Sequence, residues 1–193
     1  MRRWTTGVLG MLILGLAGCL TGGRRGGDQA MTLYDLGPPP AAAAPARALA
    51  VEVRAPAWLD SPALVYRLAY GDAAQWREYS QSRWLAPPAG LIERRLQHLL
   101  GYGGALRAGC LLRLELDEFS QVFSQPDRSQ GLLQARATWF DPARRSLQAR
   151  SLRIEVPAAA PEARAGVAAL TQAVSRLAEA LAAEEGALPA ACR

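Results

Sequence analysis

Apolar side chains recur with period two through the middle of the chain, and with the helical period at two places. In Leu49-Ala50-Val51-Glu52-Val53-Arg54, Leu49, Val51 and Val53 alternate with Ala50, Glu52 and Arg54, as on a sheet with one buried face. That strand is expected over residues 48–54. A shorter one is expected over 31–36, with the linker Pro38-Pro39-Pro40 and an alanine run between the two, since prolines cannot donate to a ladder. Residues 64–70 and the aromatic-rich 75–85 read as a hairpin across Gly71-Asp72. Three further strands follow, at 110–119, 132–140 and 146–156. In the first of these Leu112, Leu114 and Leu116 alternate with Arg113, Glu115 and Asp117. Gln125-Pro126-Asp127 interrupts the chain after it, and Asp141-Pro142 supplies a turn before the last, so the three should form an antiparallel meander.

The helical period appears first after Pro87-Pro88, which pre-sets a helix start. Ile92, Leu96, Leu99 and Leu100 form an apolar stripe, and Gly101 suits the left-handed residue that stops it. It appears again in Val167, Leu170, Val174, Leu177 and Leu181, spaced by three, four, three and four, on a long helix starting near Pro161-Glu162. That cadence would suit a coiled-coil partner, but two and a half heptads more often pack on a core. The expected fold class is α/β: a single domain with a mixed, largely antiparallel sheet packed by two main amphipathic helices, spanning residues 31–193.

The N-terminus follows a different rule. Arg2 and Arg3 precede an apolar run, and small residues lead to Cys19, the layout of a secretory signal over residues 1–18. From Gly7 to Gly18 the apolar stretch is 12 residues, short of the ~20 that a helix needs to cross a bilayer core. Leu16-Ala17-Gly18-Cys19 resembles the bacterial lipobox, which implies cleavage before Cys19 and acylation of it; the alternative is an ordinary cleaved signal with a chance cysteine. Two or more acyl chains hold a protein stably at a membrane. Residues 19–30 would then be the lipidated cysteine and a glycine-rich tether. In lipoproteins that this motif resembles, aspartate directly after the cysteine favours the inner membrane. Leu20 stands there, which implies the outer membrane, at its periplasmic face.

Composition narrows the function classes. The formal charge of +5 falls to +3 once Arg2 and Arg3 leave with the signal. Every basic residue is arginine, scattered without the one-sided cluster that a nucleic-acid-binding surface needs. No nucleic-acid partner is expected. Cys110 and Cys192 are expected to pair in an oxidising compartment, closing a long loop; two buried free thiols are the alternative. Catalytic chemistry is poorly provided for. His98 is the only histidine and reads as a helix-surface residue, while Asp117 and Glu118 are adjacent in a strand and point to opposite faces. No metal-ligand spacing, nucleophile elbow or phosphate loop is present, so neither an enzyme, a metal nor a cofactor is expected.

Six of the thirteen aromatic residues, Trp58, Tyr66, Tyr70, Trp76, Tyr79 and Trp84, lie in one short stretch. Such density is either a core corner or a recognition surface where Trp, Tyr and Arg dominate binding. The ordered set Pro56-Ala57-Trp58-Leu59-Asp60, Val65-Tyr66-Arg67, Tyr79, Arg83-Trp84 and Pro87-Pro88, with the later run from Leu112 to Phe123 and the helix from Leu170 to Ala180, resembles the ABC-type transport auxiliary lipoprotein family, the PqiC-like proteins. The cysteine pair departs from that pattern. The resemblance implies an outer-membrane-anchored auxiliary component that works with a mammalian-cell-entry (MCE) type protein of a lipid ABC transporter, and it leaves room for a homo-oligomeric ring. Trp58, Tyr66, Arg67, Tyr79, Arg83, Trp84, Pro87 and Pro88 become the candidate partner interface. Two other readings remain: a periplasmic carrier of lipid or apolar ligand, with a groove between the long helix and the sheet, and a structural outer-membrane assembly factor.

Overall fold

The computed structural model describes residues 30–38, 49–101, 109–189 and 192. The signal, Cys19, the tether up to residue 29 and most of the proline-alanine linker lie outside the described residues. Met31–Arg193 is one compact unit, and its buried core runs from Leu36 to Cys192.

The fold is a mixed seven-stranded sheet with two helices, built around one long strand. Strand β1 covers Thr32–Tyr34, β2 Leu49–Arg54, β3 Ala63–Leu68 and β4 Asp72–Trp84; helix α1 covers Pro88–Leu100. After it come β5, Cys110–Gln125, β6, Arg128–Phe140, and β7, Ser146–Pro157, before helix α2, Ala163–Glu184. The sheet order is β1-β4-β3-β5-β6-β7, and β2 also pairs with β5. Along one edge of β5, β2 pairs in parallel with Cys110 to Glu115 and β3 in parallel with Gln121 to Phe123. Its other edge carries β6, and β5-β6-β7 is the expected antiparallel meander.

β5 is longer than the alternation predicts. It continues past Phe119 to Gln125, and Pro126-Asp127 is a tight hairpin turn into β6. The register shifts between Leu116 and Glu118, where a bulge adds a residue and changes the phase of the strand. Leu112, Leu114 and Leu116 are buried before it; Phe119, Gln121 and Phe123 are buried after it. A strict period of two cannot follow that change.

Both helices pack on the same face. α1 meets β2 and α2, while α2 crosses β5, β6 and β7. Pro88 occupies the first turn of α1, and Gly101 ends it at φ 66°. Ile92, Leu96 and Leu100 are buried; Leu99 lies at the margin of the core. On α2, Val167, Leu170, Val174, Leu177 and Leu181 are all buried, and so are Ala169, Ala173 and Ala178. The heptad seam is therefore consumed by the sheet. Gly131 of β6 permits this approach, because a Cβ there would stand 2.8 Å from the backbone nitrogen of Leu170. Cys110, at the start of β5, is joined to Cys192, with Cα atoms 5.3 Å apart and both residues buried.

The opposite face of the sheet is polar over β2, β5 and β6. Glu52 accepts from Arg113 at 2.9 Å and from Arg54 at 2.7 Å, and Arg113 lies over the Phe140 ring.

Candidate functional site

β2 and β3 lie end to end along β5, so the chain must cross a gap at residues 55–62. It does so in a turn: the N–H groups of Leu59 and Asp60 both donate to the Pro56 carbonyl, at 2.8 and 3.0 Å. Leu59 is driven into the core and Trp58 outward, 58% exposed. The Trp58 ring meets Trp76 of β4 edge to face, with centroids 5.0 Å apart and planes at 79°.

Beneath Trp76 lies Arg67 of β3. Its guanidinium carbon is 4.3 Å from the Trp76 centroid. Its Nε and Nη2 donate to the two carboxylate oxygens of Glu118, at 3.1 and 3.2 Å, and Nη1 donates to the Ala73 and Ala74 carbonyls. Glu118 is nearly buried and also accepts from the Ser120 hydroxyl. Desolvated charges persist when geometry and extra hydrogen bonds compensate them, and this pair has both. Arg67 is thus fully engaged. It stacks on Trp76 with its charge already met by Glu118.

Trp58, Ser61, Val65, Arg67, Trp76 and Glu78 line an open cleft of about 380 Å³. On the other side of Trp58, Arg54, Ala55, Pro56, Glu115, Leu116 and Asp117 line a second, of about 450 Å³. The exposed carboxylates Glu78, Glu115 and Asp117 line these clefts beside Trp58, exposed Asp60 follows two residues along the chain, and among the described residues none of the four has a cationic partner. The result is an aromatic ridge with an acidic rim.

Of the remaining aromatics of the stretch, Tyr66, Tyr79 and Trp84 turn to the helix-covered side, while Tyr70 is exposed. Tyr66 and Tyr79 stack at 4.7 Å, and Tyr66 meets Phe123 at 5.8 Å. The Tyr79 hydroxyl donates to Gln121 Oε1 at 2.9 Å, and Gln121 Nε2 donates to Ser129 Oγ at 2.7 Å. Burial pushes the Tyr79 phenol well above its ordinary pKa, helped by Tyr66 and Glu162 nearby. Gly166 of α2 lies directly on Gln121.

Two expected interface residues are corrected. Trp84 has no exposed surface; it packs 5.5 Å from Phe119 because the end of β4 turns its side chain toward the core. Pro88 is buried in the first turn of α1. Pro87 is half-buried as the residue before that helix, and Arg83 is exposed on β4, between Leu33 of the edge strand β1 and Ala63 of β3. Of the expected set, only Arg67 joins Trp58 at the ridge. Trp76, Glu78, Ser61 and Val65 complete the cleft and Glu118 underpins it. No local pattern pairs Glu118 with Arg67, because the two are 51 residues apart in sequence.

His98 is exposed near the end of α1. Among the described residues, no group of three or more His, Cys, Asp or Glu is arranged to hold a metal ion, and no helix is long and apolar enough to cross a membrane.

The model of a family described as the ABC-type transport auxiliary lipoprotein component matches residues 34–182. The chain resembles the crystal structure of protein XCC0632 from Xanthomonas campestris, of the family DUF330. The TM-score is 0.67 at 18% identity, over 79% of this chain and 94% of that one. A second crystal structure, of an uncharacterized protein, matches with a TM-score of 0.62 at 16% identity, over 80% of this chain and 98% of that one. At these identities the likeness shows the fold alone. No curated protein sequence matches this chain.

Proposed function

Because the chain belongs to the family of ABC-type transport auxiliary lipoprotein components, we propose that it is a non-enzymatic docking component, anchored to the outer membrane through Cys19, for an MCE-type protein in lipid transport between membranes. The observation that carries the docking role is the Trp58–Trp76 ridge, held by the Arg67–Glu118 pair. An exposed tryptophan costs solubility and contributes nothing to the core, whereas at protein interfaces tryptophan is among the residues that most often dominate affinity. The acidic rim favours a partner surface that presents arginine or lysine beside apolar side chains.

The carrier reading has less support. Where α2 crosses β5, β6 and β7, the space is filled by Leu133, Leu170, Val174 and Leu177, all fully buried, and the groove beside α2 at Leu33 and Arg164 is shallow and open.

Crosslinking in intact cells from position 58, followed by mass spectrometry, tests the proposal. Recovery of an MCE-type protein is expected. Repeated recovery of cell-wall enzymes or of a barrel protein alone contradicts it. The anchor has its own test: Cys19→Ala should abolish acyl labelling, and normal membrane retention of that variant would contradict the anchor.

A further inference from the structure

Three of the exposed large apolar side chains gather where the chain enters the folded unit. Met31 is 43% exposed, Leu33 55% and Leu85 62%. They are neighbours through strand pairing. Leu33 is the register partner of Arg83, two residues before Leu85, and the Leu85 N–H donates to the Tyr34 carbonyl at 2.7 Å.

Each of the three shares a shallow groove with an exposed arginine. Met31 shares one with Arg83, Leu33 one with Arg164 of α2, and Leu85 one with Arg94 of α1. Among the described residues none of these arginines has an acidic partner. Two carboxylates border the grooves: Asp35, which accepts from the Gly37 N–H, and Glu78 at the margin shared with the Trp58 cleft. This part of the surface is therefore apolar and basic, where the Trp58 ridge is aromatic and acidic.

We infer that the Met31–Leu33–Leu85 patch, with Arg83, Arg94 and Arg164, is a membrane-contacting surface that rests on anionic lipid headgroups. Two arguments select a lipid surface as the occupant. Isolated apolar side chains interspersed with unpaired arginines suit the interface, where the former enter the acyl boundary and the latter meet phosphates. The covalent path toward Cys19 also leaves the unit at Met31, and a tether of about 11 residues spans at most ~40 Å, so this end of the domain is the one kept nearest a membrane that holds Cys19. The inference takes only the lipid anchor from the reading above. It adds a second contact that fixes orientation: with the basic patch on the bilayer, the acidic rim of Trp58 is repelled from it.

The test uses residues 20–193, which contain the whole compact unit and lack both the signal and Cys19. Co-sedimentation with vesicles of phosphatidylethanolamine and phosphatidylglycerol should show binding that weakens with added salt. Replacing the phosphatidylglycerol by phosphatidylcholine should abolish it. Arg83→Glu, Arg94→Glu and Arg164→Glu together should weaken it by about a hundred-fold, about five-fold or more for each site, while the thermal unfolding midpoint stays that of the parent. Leu33→Ser with Leu85→Ser should also release the protein. No binding by the parent, equal binding to the neutral vesicles, or full binding by the triple variant overturns the inference. None of these results depends on acylation, and failed acyl labelling of Cys19 would remove the anchor without touching the vesicle result.

Discussion

On the helix-covered face of the β3–β4 hairpin, Tyr66, Tyr79 and Trp84 end in contacts with Phe123, Gln121 and Phe119. On the open face, Trp58 and Trp76 end in solvent-lined clefts, with Arg67 held beneath them by Glu118. The residue types are the same and the settings are not. Where α2 covers the sheet, aromatic rings stabilise the fold; where no described helix or strand covers it, a nearly buried ion pair keeps one ring displayed. That contrast separates the two explanations of the aromatic density, since each applies to a different face.

The comparison breaks first at Trp84. Trp84→Ala should cost about 3–5 kcal/mol of unfolding free energy, read from urea denaturation, because it empties a fully buried site. A loss below about 1 kcal/mol would mean that the helix-covered face does not carry the fold. Next comes Glu118→Ala, which leaves the Arg67 charge without its carboxylate. Full burial would make this about 3–5 kcal/mol; since the side chains of Arg67 and Glu118 keep 18% and 10% of their exposure, about 2–3 kcal/mol is expected. It should also loosen Trp76, seen as a red shift or altered quenching of tryptophan fluorescence. Tyr79→Phe removes one hydroxyl and leaves Gln121 Oε1 without that donor, for about 1–2 kcal/mol. The smallest stability effect should be at the ridge itself: Trp58→Ala is expected to stay within about 0.5 kcal/mol of the parent.

Much of the scaffold is legible in the sequence. The α2 seam and the stop at Gly101 follow from periodicity and one glycine, and both helices stand where those signals put them. The second half of β5 was not legible, because the bulge at Asp117 reverses which residues face inward, and polar Ser120 and Gln121 are buried there. The site was read in part. Aromatic density marked the right segment, but density carries no information about faces, so buried Trp84 was grouped with exposed Trp58. Glu118 required the pairing of β3 with β5, a contact between distant parts of the chain with no local pattern to announce it.

The central claim is that the open face, and not the helix-covered one, meets the transport partner. The direct measurement is in-cell crosslinking yield to the proposed MCE-type partner from a probe at Ser61, a cleft-lining position beside the ridge, compared between Trp58→Ala and Tyr79→Phe at matched protein levels. Trp58→Ala should lose the crosslink while its folding is unchanged, and Tyr79→Phe should keep it despite lower stability. Retention in Trp58→Ala, or equal loss in both, would contradict the account.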